Sequence, residues 1–70
     1  MKTYLVTFGL DSIYRDKCVI VTAESEQRAR DYVFGRYGRL NVAYFYDYDE
    51  KRNLIDRYKY KVMENITLYD

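Results

Sequence analysis

The strongest constraint on this chain is what it lacks for holding a small fold together. Its 70 residues include one cysteine, Cys18, and no histidine. A domain this short buries only about 60% of the surface its unfolded form exposes, and small scaffolds usually recruit disulfides, a metal or a second subunit. A lone thiol pairs only between molecules, and one thiol without imidazole cannot build a tetrahedral zinc cage. Stability must therefore come from a well-packed aromatic core, from a dimer, or from both. No cofactor is expected.

Aromatic residues are abundant enough to meet that need. Ten tyrosines and three phenylalanines make up 19% of the chain, with no Trp and no Pro. Tyrosine suits a half-buried strand, and it is also enriched at binding surfaces, because one ring carries both apolar area and a hydroxyl. Both roles stay open, with the ten divided between them.

The net charge is +1, far from the strong basicity of a nucleic-acid coater and from the acidity of a DNA mimic. Met1–Leu10 holds one lysine and a short apolar stretch, too little for a secretory leader. No run approaches the roughly 18 apolar residues of a membrane span. The expected setting is the cytoplasm, where the Asn65-Ile66-Thr67 sequon has no meaning.

Hydrophobic periodicity predicts one α+β domain over residues 1–70. Lys2–Phe8 alternates, with Tyr4, Val6 and Phe8 on one face and Thr3, Leu5 and Thr7 on the other. Gly9 ends that strand, and Leu10–Asp16 reads as a loop long enough to be functional. Lys17–Thr22 is a second strand, expected to pair antiparallel with the first. Ser25 is placed to cap a helix from Glu26 to about Tyr37, with Ala29, Val33 and Tyr37 as its buried stripe and Gly38 as its stop. Asn41–Tyr48 is a third strand, Asp49–Arg57 a short helix or structured connection, and Tyr58–Val62 an edge strand with Tyr58, Tyr60 and Val62 inward. Glu64-Asn65 is a candidate turn before Ile66–Tyr69, which either extends that strand or forms a fifth. The expected architecture is an antiparallel sheet of four to five strands with one main helix on a face, in β-β-α-β-(α)-β order.

Catalytic machinery is scarce. Without histidine the commonest general base is missing, and Cys18, mid-strand beside Val19, reads as a small buried hydrophobe. Asp47, Asp49 and Glu50 form the one acidic cluster, read as a solvated strand end leading into a helix N-terminus. Arg28, Arg30, Arg36 and Arg39 lie on the helix or just after it, but Arg28 and Arg30 fall about 160° apart on the helical wheel. Gly35-Arg36-Tyr37-Gly38 fits a G-x-x-G spacing, yet its glycines close a helix. No nucleotide-binding G-x-G-x-x-G or P-loop occurs.

Taken in order, Tyr4-Leu5-Val6-Thr7-Phe8-Gly9, Ala23-Glu24-Ser25-Glu26, Ala29-Arg30, Phe34-Gly35-Arg36-Tyr37-Gly38 and an aromatic strand ending in Tyr46 form a pattern. It resembles a family of short proteins from phages and prophages of Gram-positive bacteria. Those open with a TFG strand, carry an AES…AR…F.RYG helix and continue into an aromatic strand. The resemblance spans about Tyr4 to Glu50; the tryptophan of the family's aromatic strand is missing here, and the tail from Tyr58 to Tyr69 lies outside it. It implies a phage origin and an accessory role in a bacterial host cell, and it transfers no residue role.

The expectation is a non-catalytic phage protein that inhibits or modulates a host bacterial protein by steric occlusion. A CRISPR or other defence nuclease complex is the leading class of target. The expected partner-binding residues are Tyr14 and Arg15 in the first loop, the sheet tyrosines Tyr44, Tyr46 and Tyr48, and the adjacent Asp47 and Asp49. A homodimer covering the Tyr-rich strand stays open. The alternative is a nucleic-acid-binding accessory protein using Arg28, Arg30, Arg36 and Arg39 with stacking tyrosines and Lys59. A small enzyme is the remaining option.

Overall fold

The computed structural model describes residues 1–38 and 43–69. It is an α+β fold: strands β1 (Lys2–Phe8) and β2 (Lys17–Ala23), helix α1 (Glu26–Tyr37), strand β3 (Ala43–Asp47), short helices α2 (Tyr48–Lys51) and α3 (Asn53–Arg57), and strand β4 (Lys61–Thr67). The strands lie side by side in the order β3-β1-β2-β4.

The sheet is mixed, which corrects the all-antiparallel expectation. β1 runs antiparallel to β2 and β3, but β4 lies parallel to β2. The chain therefore makes two crossovers between parallel strands, from β2 to β3 through α1 and from β3 to β4 through α2 and α3. These move in opposite directions across the sheet. Crossovers share one hand almost without exception, so opposite directions place the two helical segments on opposite faces.

Burial agrees with that geometry. Tyr4, Val6, Phe8, Val19, Val21 and Ala23 pack under Ala29 and Val33 of α1. On the other face Leu5, Cys18 and Ile20 are covered by Leu54 and Ile55 of α3 together with Tyr46, Tyr48 and Tyr60. The alternation of β1 thus serves two cores. Leu5 and Val6 point in opposite directions, and both are fully buried. Burying a side chain of this size contributes about 1.5–3 kcal/mol, so both faces stabilise the fold.

Helix α1 forms as its sequence predicts. The Ser25 hydroxyl accepts from the Arg28 amide at 3.2 Å, and Gly38, at φ 85°, donates its amide to the Phe34 carbonyl at 3.0 Å. A side chain at Gly38 would meet a conformation that L-residues avoid.

β4 departs most from expectation. Tyr58 and Lys59 belong to the turn that ends α3, and the strand starts only at Lys61. Of the three residues expected inward, Tyr60 alone is half-buried; Tyr58 and Val62 are exposed. Glu64 and Asn65 do not turn the chain but continue the strand. The register with β2 slips between Cys18–Val62 and Val19–Glu64, leaving Met63 as the extra residue of a bulge. The bulge puts Glu64 opposite Val19 on the α1 side of the sheet. There its carboxylate accepts from the Tyr32 hydroxyl at 2.8 Å, from the Arg36 Nε at 3.0 Å and from the Tyr37 hydroxyl. Burial alone would raise the Glu64 pKa, but these three donors hold it below its ordinary value.

Candidate binding surface

Tyr14, one of the expected partner-binding residues, packs against the core. Phe8, Tyr14 and Tyr37 form a three-ring cluster with centroid distances of 5.3, 5.4 and 5.3 Å. Tyr14 is half-buried, anchoring the β1–β2 loop to the α1 side of the core. Ser12, 6% exposed, is the second anchor. Its amide donates to the Gly9 carbonyl at 3.0 Å, and its hydroxyl accepts from the Tyr14 amide at 3.0 Å. Two further turns, Arg15 amide to Ser12 carbonyl at 3.2 Å and Lys17 amide to Tyr14 carbonyl at 2.9 Å, fix the rest of the loop.

With Ser12 and Tyr14 turned in, Leu10 and Ile13 are turned out. They are 86% and 72% exposed, the first and third most exposed of the large apolar side chains among the described residues. Both stand on a loop whose backbone is fixed by hydrogen bonds. Sequence reasoning passed over both. The signal lay in Leu10-Asp11-Ser12-Ile13, where two aliphatics interrupt a turn-rich segment without serving a strand or helix period. Arg15 is exposed beside them.

The other expected residues divide between structure and surface. Tyr44 and Tyr46 share the face of β3 opposite α1: Tyr44 is 49% exposed, whereas Tyr46 and Tyr48 pack against Leu5, Cys18 and Ile20. Asp47 caps α2, accepting from the amides of Asp49 and Glu50 at 3.0 and 3.4 Å, and pairs with Lys2 at 3.1 Å. The Lys2 hydrogen bond holds the Asp47 carboxyl below its ordinary range, and Asp47 in turn raises the Lys2 pKa. Asp49 lies exposed in the first turn of α2. Tyr14 and Arg15 sit on the β1–β2 loop, at the end of the sheet that holds the start of β3. Tyr48 and Asp49 follow β3 and lie toward the opposite end, so the seven residues do not form one patch.

No protein-family model, curated protein or solved structure matches the chain.

The helix arginines are committed within the fold. Arg30 pairs with Glu26 at 2.9 Å and lies over the Phe45 ring at 4.7 Å, and Arg36 binds Glu64. Arg28 is half-buried, and Arg39 lies outside the described residues. Cys18 is fully buried, and that burial pushes its thiol up to about 11, keeping it protonated and unreactive at neutral pH. Among the described residues no three Cys, Asp or Glu side chains gather to hold a metal ion, and no helix is long and apolar enough to cross a membrane.

Proposed function

We propose that this protein is a non-catalytic binding module that docks onto another protein through its β1–β2 loop. The observation that carries this reading is the outward pair Leu10 and Ile13 on a loop fixed by Ser12 and Tyr14. A loop already held in one shape loses little conformational freedom on docking, so the apolar area it buries is not offset by ordering. The complementary surface is an apolar recess on the partner. Arg15 at the rim and Tyr44 at the same end of the sheet supply polar and aromatic contacts around it. The resemblance to small phage proteins points to a bacterial host protein as the partner. Analogy with small accessory phage proteins that block host complexes points to a defence nuclease complex as the class of target and occlusion as the mode of action.

A Leu10→Asp/Ile13→Asp double variant tests the reading. Both side chains are exposed, so the melting temperature should stay within a few degrees of wild type. Immobilised wild-type protein should retain a specific protein from a bacterial host lysate that the double variant releases. Equal retention by the two proteins would refute the assignment to this loop. Conversion of a wild-type dimer to a monomer by the variant would assign the loop to self-association instead.

A further inference from the structure

Lys59 is the one non-glycine residue with a positive φ among the described residues, at 54°. It sits where a helix ends. The Tyr60 amide reaches back to the Ile55 carbonyl at 3.0 Å and the Tyr58 amide to the Leu54 carbonyl at 2.9 Å. This is the hydrogen-bonding frame of a helix stop whose left-handed position is usually glycine. A lysine there is conformationally unfavourable, and residues held in such conformations cluster at functional sites.

What the turn displays is specific. Arg57-Tyr58-Lys59-Tyr60-Lys61 interleaves three cations with two rings. Tyr58 is 58% exposed, yet it is not loose: its ring lies 5.8 Å from that of Tyr60, and the Arg57 guanidinium stands 5.7 Å from its centroid. Tyr60 is half-buried against the core, which anchors the pair. The Lys61 amide donates to the Asp16 carbonyl at 3.0 Å, pinning the turn to the β1–β2 loop. Among the described residues, Arg57, Lys59 and Lys61 form no ion pair, whereas neighbouring Lys17 is neutralised by Asp16 at 3.0 Å.

We propose that the Arg57–Lys61 turn is a binding site for single-stranded nucleic acid, with Tyr58 as the stacking platform and Arg57, Lys59 and Lys61 as phosphate contacts. A fixed exposed ring flanked by cations that form no ion pair is what a splayed strand needs, since every base offers a face to stack and a phosphate beside it. A duplex keeps its bases stacked on one another and cannot use the ring. An acidic polypeptide would use the cations but has no need of the ring. The site uses neither Leu10 nor Ile13 and does not depend on the loop having a protein partner.

The test is fluorescence anisotropy with labelled oligothymidylate of about 15 nucleotides at low salt. The wild-type protein should bind, with log K falling against log [salt] at a slope of about −2, the value for three phosphate contacts on a single strand. Tyr58→Ala should weaken binding roughly tenfold without altering the slope, and Tyr58→Phe should restore it. Lys61→Gln should make the slope shallower by about 0.7. Thermal melts of each variant confirm that the fold is kept. Absence of binding at low salt, or binding indifferent to Tyr58→Ala, would overturn the proposal. Polyglutamate competing as well as unlabelled oligonucleotide would overturn it in favour of an acidic polypeptide.

Discussion

Replacing Lys59 with glycine should make the protein more stable, although it removes a side chain and adds backbone freedom. At φ 54° an L-residue crowds its own Cβ against the backbone, which costs about 1–2 kcal/mol. Glycine relieves that strain but enlarges the unfolded ensemble, giving back about 0.5–1 kcal/mol. The net gain is about 0.5–1 kcal/mol, which for a domain of this size raises the melting temperature by about 2–8 °C. Circular dichroism melts and urea titrations measure it, and the urea midpoint should move without a change in slope. Lys59→Ala is the control. It loses the lysine side chain but keeps a Cβ in the left-handed conformation, so its melting temperature should stay near wild type. If Lys59→Gly were neutral or destabilising, the left-handed turn would not be a source of strain. If alanine stabilised as much as glycine, the gain would come from removing the lysine charge.

Two further perturbations probe the interior. Glu64→Gln keeps an acceptor but loses the charge in its bonds with Tyr32, Tyr37 and Arg36; it should cost about 2 kcal/mol, read as a lower urea midpoint. The wild-type contribution should be complete above the ordinary carboxyl value of 4.5 and lost as pH falls through the depressed folded value. At the alkaline end Tyr32 and Tyr37, raised by burial and by Glu64, should lose their contribution as pH climbs past their ordinary 10.0. Acid titration of the midpoint should therefore be flatter in Glu64→Gln. Cys18 should react with a thiol reagent only as fast as the protein opens, and Cys18→Ser should destabilise by about 1–3 kcal/mol through a hydroxyl without a partner. Rapid labelling of the native protein would contradict its burial.

The elements with a strict local signal were legible in the sequence alone. Alternation in Lys2–Phe8, the Ser25 cap, the Ala29–Val33 stripe and the Gly38 stop each fix one conformation, because the side-chain period and the cap chemistry admit no other. The direction of β4 was not legible. Parallel and antiparallel edges bury the same residues, and the choice follows from the crossover that α2 and α3 make over the second face. The bulge at Met63 was hidden for a related reason. Glu64-Asn65 has the composition of a turn, and only the donors from α1, 27 to 32 residues away in sequence, make a strand carboxylate favourable there. The inward and outward side chains of the first loop were not legible either. Sequence alone does not say which side chains of a loop turn inward, and the answer is set by the Phe8–Tyr37 ring cluster that receives Tyr14.

Several departures from local rules fall in one place. All buried side-chain polar atoms of the described residues have partners, and both sheet faces are filled with apolar groups. Against that background the outward Leu10 and Ile13, the exposed Tyr58 ring and the left-handed Lys59 all occur where β1 ends and β2 and β4 begin. The backbone bond from Lys61 to Asp16 joins the loop to the turn there. A sequence shaped only for stability would carry polar residues at the first two positions and glycine at Lys59. If that end is the working surface, Lys59→Gly should separate the two properties, melting higher than wild type while binding oligothymidylate with a slope shallower by about 0.7. A variant that gained stability and kept the full salt dependence would mean that the strained lysine has no part in binding.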